Sequence, residues 1–378
     1  MDPHGPVAQR FPLVARFRPA CLPLHQRVYA LVDLADTAVK KNDQGIASAV
    51  YNQAALLASD LGLPDLAREM CHQHAGAYLH ACPLPGMSAI RGLEPIVNLA
   101  RLQIRAGRTD EGRQRLLDLY EAVETGTAAR YEGIEVPAAL TATDKDRHEV
   151  GAWLWRVLLA DGTRALTTEG RWPEALAHIE AHRGVGKRML DGRQVAVLAS
   201  LLTGDTAAAT VLFGDTMPGE PWEQAVTACL VVLCRRLAGQ PADGHLAELA
   251  AAYLERQAEP GMTVFDIRLG LTALDAIGSA DSPSAHRLVD DLYRRMTAAE
   301  DGYAARENLA HPLFSELATE RQRQGCRALV RACALGAGTL PDRLREALTA
   351  AVRASDNVIR ESLACPSDPG CATSPEQA

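Results

Sequence analysis

Apolar residues return every three to four positions along most of the chain, and single glycines break the pattern. From Ile46 the sequence IASAVYNQAALLASDLGLPDLAREMCHQHAGAYL carries one apolar stripe as far as Gly62, and Pro64 then opens a second stripe with Ala67 and Cys71 on its inner side. Glycine after one helix and proline at the start of the next is the punctuation expected of a helical hairpin. The same grammar recurs at Gly107, Gly170 and Gly204, and more loosely at Gly239 and Gly278. From Gly170 the successive turn glycines lie 34, 35 and 39 residues apart. Two wider gaps precede them: 45 residues from Gly62 to Gly107, with an insert around CPLPGMSAIRG, and 63 from Gly107 to Gly170, with a loop from Thr125 to Arg147. Residues 1–23 read as an irregular arm, and Leu24 to Lys41 as an amphipathic leading helix capping the stack. The helical pattern runs as one domain over 24–365, with the last helices, 307–365, as a C-terminal cap. Residues 366–378, rich in Pro and Ser, read as a disordered tail.

Small residues add a family resemblance. Ala55 and Ala67 flank Gly62, Ala100 and Gly112 flank Gly107, and Thr163 and Ala175 flank Gly170, each seven residues before and five after the turn. Around Gly204 Ala209 is present, but Val197 takes the first position. Over roughly Ile46 to Met296 the chain resembles the tetratricopeptide repeat superfamily. That resemblance implies an all-α fold, an α-solenoid of antiparallel helix pairs wound as a right-handed superhelix, with a concave groove lined by the first helix of each pair. Carried over position by position, the groove holds Asn52, Arg101, Arg164, Thr167 and Gln194, with Arg105 at its edge. Guanidinium groups along such a trough suit a peptide partner offering a carboxylate or acidic side chains. The Lys and Asn clamp of chaperone-binding members is missing, because Leu56 stands beside Asn52 and no Lys is near.

Composition agrees with helices. Five Phe, eight Tyr and four Trp in 378 residues are few for a β-rich fold, which leans on aromatic and β-branched residues. A net charge of -8 argues against a nucleic-acid coat. The apolar stretches are too short for a bilayer crossing, so no membrane partner is expected. Nine cysteines at irregular spacing, without a CxxC pair, fit reduced thiols and a cytoplasmic protein. Arg outnumbers Lys 35 to 4, a codon bias of GC-rich, actinobacterial type.

Little chemistry stands out. GxGxxG, GxxxxGK[ST] and GxSxG motifs are missing, and no cofactor is expected. His178 and His182 stand four apart on a helix, but without HExxH order or a third ligand they predict no metal. A second cluster, His74, Tyr78, His80, Arg91, Glu94 and Asn98, beside His72 and Cys82, could line a small-molecule pocket. The sequence therefore leads to an adaptor or regulatory protein with a protein or peptide partner in its groove, rather than an enzyme. The alternative is an enzyme or accessory subunit of a specialised-metabolite pathway acting at residues 72–98. Self-association as a homodimer is compatible with either.

Overall fold

The computed structural model describes residues 1–364, so the tail expected at 366–378 lies outside the described residues. The fold is all-α in its bulk, 72% helix and 2% strand. In order come α1 (Pro6–Arg10), α2 (Leu24–Lys41), α3 (Gln44–Asp60), α4 (Pro64–Leu79), α5 (Gly86–Arg105) and α6 (Thr109–Thr125), then β1 (Ala129–Tyr131) and β2 (Ile134–Val136). After them follow α7 (Asp144–Val157), a π-helical turn (Leu158–Gly162), α8 (Thr163–Thr168), α9 (Trp172–Ala181), α10 (Asp191–Leu202), α11 (Thr206–Gly214), α12 (Pro221–Leu237) and α13 (Asp243–Glu255). The last six are α14 (Thr263–Ile277), α15 (Pro283–Ala299), α16 (Gly302–Ala310), α17 (Pro312–Leu317), α18 (Glu320–Ala332) and α19 (Asp342–Ala364).

All six turn glycines sit where the periodicity puts them, between paired helices. Each has positive φ, from 64° at Gly278 to 82° at Gly204, a conformation that a side chain with a Cβ rarely adopts. The two long gaps resolve differently. The CPLPGMSAIRG insert is mostly helix, because α5 starts at Gly86 and runs for 20 residues with Pro95 inside it. Between Gly107 and Gly170 the chain adds the antiparallel hairpin β1–β2, whose register pairs Ala129 with Val136. Glu132 (φ 47°) and Gly133 (φ 87°) form its two-residue turn, as the positive-φ geometry of such hairpins requires.

The chain divides into two compact units. Unit 1 comprises residues 1–27, 107–113 and 155–337; unit 2 comprises 28–106, 114–154 and 338 onward. In unit 2, α4 packs between α3 and α5, and α19 lies against α3 and α4. Leu93, Ile96, Val97 and Leu99 of α5 are fully buried. Each such side chain contributes roughly 1.5–3 kcal/mol relative to exposure. Tyr51 of α3 donates to Asp356 of α19 at 3.0 Å. Unit 1 contains α8 to α18 around a core in which Trp172, Ile267, Leu271, Leu274 and Phe314 are buried. The segment expected as a cap is thus divided, with α17 and α18 in unit 1 and α19 in unit 2.

Candidate functional site

In unit 2 the inner faces of α3 and α5 meet along a polar strip. On α5 it follows a spacing of three and four residues through Arg91, Glu94, Asn98, Arg101 and Arg105, one face of a helix. On α3 it runs through Ser48, Asn52 and Ser59. Asn98 donates to Asn52 Oδ1 at 3.0 Å, and Asn52 donates to Glu94 Oε2 at 2.6 Å. Arg101 donates to Asn98 Oδ1 at 3.0 Å. Arg105 donates to Ser59 and lies 3.7 Å from Asp60. Asn52, Glu94 and Asn98 are half-buried, whereas Arg101 and Arg105 are exposed. Burial pushes the Glu94 carboxyl above its ordinary range, against the opposing pull of the Asn52 bond and Arg91. Asn52, Arg101 and Arg105 therefore share one face, together with Glu94 and Asn98 from the other expected cluster.

Beneath the strip lies a histidine. His74 Nε2 and Ser48 Oγ are 2.9 Å apart, and the Ser48 hydroxyl is 3.5 Å from Glu94 Oε2. The His74 ring stacks on Tyr51 at 4.8 Å and meets the edge of Tyr78 at 5.7 Å. Burial alone pushes its pKa down to about 3, so it is neutral throughout the ordinary range. Burial also raises Tyr78 to about 12. A serine, a histidine and a carboxylate in contact suggest a nucleophile, but Glu94 sits on the serine instead of orienting the imidazole. Ser48 and His74 are both only 2% exposed, so a substrate cannot reach them in this conformation. His80 stands apart, exposed, with Nδ1 3.0 Å from the Gly76 carbonyl.

Arg164, Thr167 and Gln194 belong to unit 1, where they meet the chain's own residues. The fully buried Gln194 amide accepts from Leu13 N and donates to Leu13 O, both at 2.7 Å. Arg164 donates to Phe11 O at 3.3 Å, and burial pulls its pKa down to about 10, with the nearby Arg268 adding to the effect. Thr167 is fully buried and bonds Arg164 O at 3.3 Å. Trp172 Nε1 donates to Pro3 O at 3.3 Å. Arg10 pairs with Asp275, and Arg16 with Asp191 at 2.6 Å. Burial alone would raise the Asp275 carboxyl, but His311 at 3.1 Å and Arg10 hold it below the usual range. The arm expected to be irregular thus begins with the short helix α1, and only residues 11–23 run without helix, against the face that carries Arg164, Asp191 and Gln194. Residue periodicity could not show this, because residues 11–23 form no helix and carry no repeat. Asp191 and Asp275 complete the contact, and no local pattern in the sequence marks either as a partner of the arm.

The remaining candidates are structural. His178 Nε2 lies 3.1 Å from Leu158 O and His182 Nδ1 lies 2.8 Å from His178 O, so both rings are spent on carbonyls. No group of three or more His, Cys, Asp or Glu that could hold a metal occurs among the described residues. Among them, too, no helix is long and apolar enough to cross a membrane. An open cleft of about 450 Å³ between α11, α12 and α13 is walled by Met189, Phe213, Met217, Val231 and Leu249. Its acidic neighbour Glu223 is tied to Arg188.

Fold and site together define a mostly helical protein of successive helix pairs, with one polar strip in unit 2 and one face in unit 1 holding its own arm. No protein-family model matches the chain, and neither a curated protein nor a solved structure matches it.

Proposed function

We propose that the chain is a non-catalytic, tetratricopeptide-like adaptor or regulatory protein that grips an extended segment of a partner along the α3–α5 strip of unit 2. The observation that carries this reading is the pair of half-buried amides, Asn52 and Asn98, linked at 3.0 Å on a partly open helical face. Their bonds to each other and to Glu94 use one N–H of each amide, and an amide has two. Side-chain amides of this kind bond a peptide main chain without regard to its sequence. Arg91, Arg101 and Arg105 along the same stripe favour a ligand with carboxylates. The irregularly spaced cysteines support action in the reducing cytoplasm.

The test is selection of random dodecapeptides on the full chain, followed by affinity measurement on the Asn52→Ala and Asn98→Ala variants. A recurring sequence family is expected, with affinity reduced about tenfold in each variant, or about 1.4 kcal/mol. Peptides that bind both variants as tightly as the parent would refute the strip as the site.

A further inference from the structure

We infer that the inner face of unit 1 is a second binding site, made for an extended segment carrying arginine beside buried Phe and Leu, and that the N-terminal arm is its resident occupant. A partner protein's segment of the same chemistry displaces the arm. The recognition is of a ligand's kind. Gln194 reads both the N–H and the C=O of Leu13, contacts that address main chain in an extended conformation and are indifferent to the side chain. Arg164 takes the carbonyl of Phe11.

The side chains then supply selectivity. Phe11 and Leu13 are 0% and 1% exposed. Carboxylates meet the arginines, Asp275 at Arg10 and Asp191 at Arg16, while the guanidinium of Arg18 sits 3.9 Å over the Tyr303 ring. Arg164, Gln194 and Asp275 stand six, ten and three residues before the turn glycines Gly170, Gly204 and Gly278. They are therefore inner-wall positions of three helix hairpins, used here on a segment that belongs to none of them. The arm is paired into no sheet, and Phe17 on it is 71% exposed. The charge of this occupant is the reverse of the acidic partner expected from Arg164, because two aspartates dominate the wall.

The inference stands apart from the reading of the α3–α5 strip, since Gln194 and Asp275 can be altered without touching Asn52 or Asn98. A protease site is inserted between Pro19 and Ala20 in the full chain, the protein is cleaved, and a fluorescein-labelled peptide of residues 1–19 is added. The cleaved protein is expected to keep its helical circular dichroism and to bind the labelled peptide. Its affinity should exceed that of the uncleaved protein at least tenfold, because the tethered arm competes. Gln194→Ala should cut that affinity about tenfold, and Asp275→Asn should weaken the native peptide more than one carrying Arg10→Gln. Loss of helicity on release of the arm would overturn the proposal by making the arm core, as would failure of the labelled peptide to exchange into a protein that stays folded. A dimer that dissociates on cleavage would overturn it in favour of arm exchange between two copies.

Discussion

His74 shows how burial converts one side chain into a pH sensor for the fold. Kept neutral by burial down to about 3, it gains a proton on unfolding at any pH below about 6.5. Stability therefore falls as pH drops below 6.5, by at most about 1.4 kcal/mol per unit, until the folded value is reached. Glu94 has the opposite sign, since its raised folded pKa favours the folded state at low pH and that contribution is lost as pH rises above 4.5. Between pH 7 and 5 the histidine therefore pulls the melting temperature down as the pH falls. His74→Phe keeps the stack on Tyr51, gives up the Ser48 contact, and should show a smaller drop; equal drops in thermal melts would refute the assignment. Gly162 makes a second residue-scale case. A methyl there would sit 2.7 Å from His178 Nε2, on a ring already held by Leu158 O. Gly162→Ala should cost about 1–3 kcal/mol in urea unfolding. In contrast, Gly76→Ala, in α4 with open space around the added carbon, should gain about 0.5–1 kcal/mol. The sequence displayed His74 as a candidate but not its neighbour Ser48, because contact across a helix pair leaves no local pattern.

At the scale of elements, the β1–β2 hairpin is fastened by a single carboxylate. Glu132 at its turn receives Arg68, Arg115 and Gln103, with His72 at 3.7 Å. Burial would raise its pKa, yet the Arg115 bond and the charges of Arg115 and Arg68 hold it below the usual range. Its contribution is present above about 4.5 and lost as pH falls through the lowered value. Glu132→Ala leaves two guanidinium groups without their partner and should cost about 1–3 kcal/mol. Faster amide exchange at Tyr131 and Ile134 than on α5 would locate the loss in the hairpin. Asp266 plays the equivalent part in unit 1, bonded by Arg256 at 2.7 Å with Arg295 3.7 Å away and only 2% exposed. Asp266→Ala strands these cations and should destabilise by about 3–5 kcal/mol, measured by chemical denaturation. Helices and their turns were legible because glycine and proline act locally. The hairpin was not, since its strands have three residues each, too short to show an alternating pattern, and Arg68 and Gln103, which hold Glu132 at its turn, lie far along the chain. The helix that starts at Gly86 was not legible in the insert, because its glycines and prolines weigh against helix, whereas packing of Ile90, Leu93 and Ile96 outweighs them.

For the whole molecule, the repeat grammar forecast helix pairs but not their grouping into two units, which depends on contacts between distant segments. It also assigned Arg164 to an open trough, and the arm occupies that wall. Arg164→Glu would put a carboxylate against the Phe11 carbonyl in a half-buried place, so it should lower stability by about 1–3 kcal/mol and would say nothing about solvent-side capture. The placement of α19 has a consequence in time. Tyr51 and Asp356 are 305 residues apart, so the face of α3 that α19 covers is finished only when synthesis nears residue 364. At about 5–20 residues per second, that face waits roughly 15–60 s on the nascent chain with apolar surface uncovered. The interval is long enough for holding chaperones to engage unit 2 while α8 to α18 are still being made.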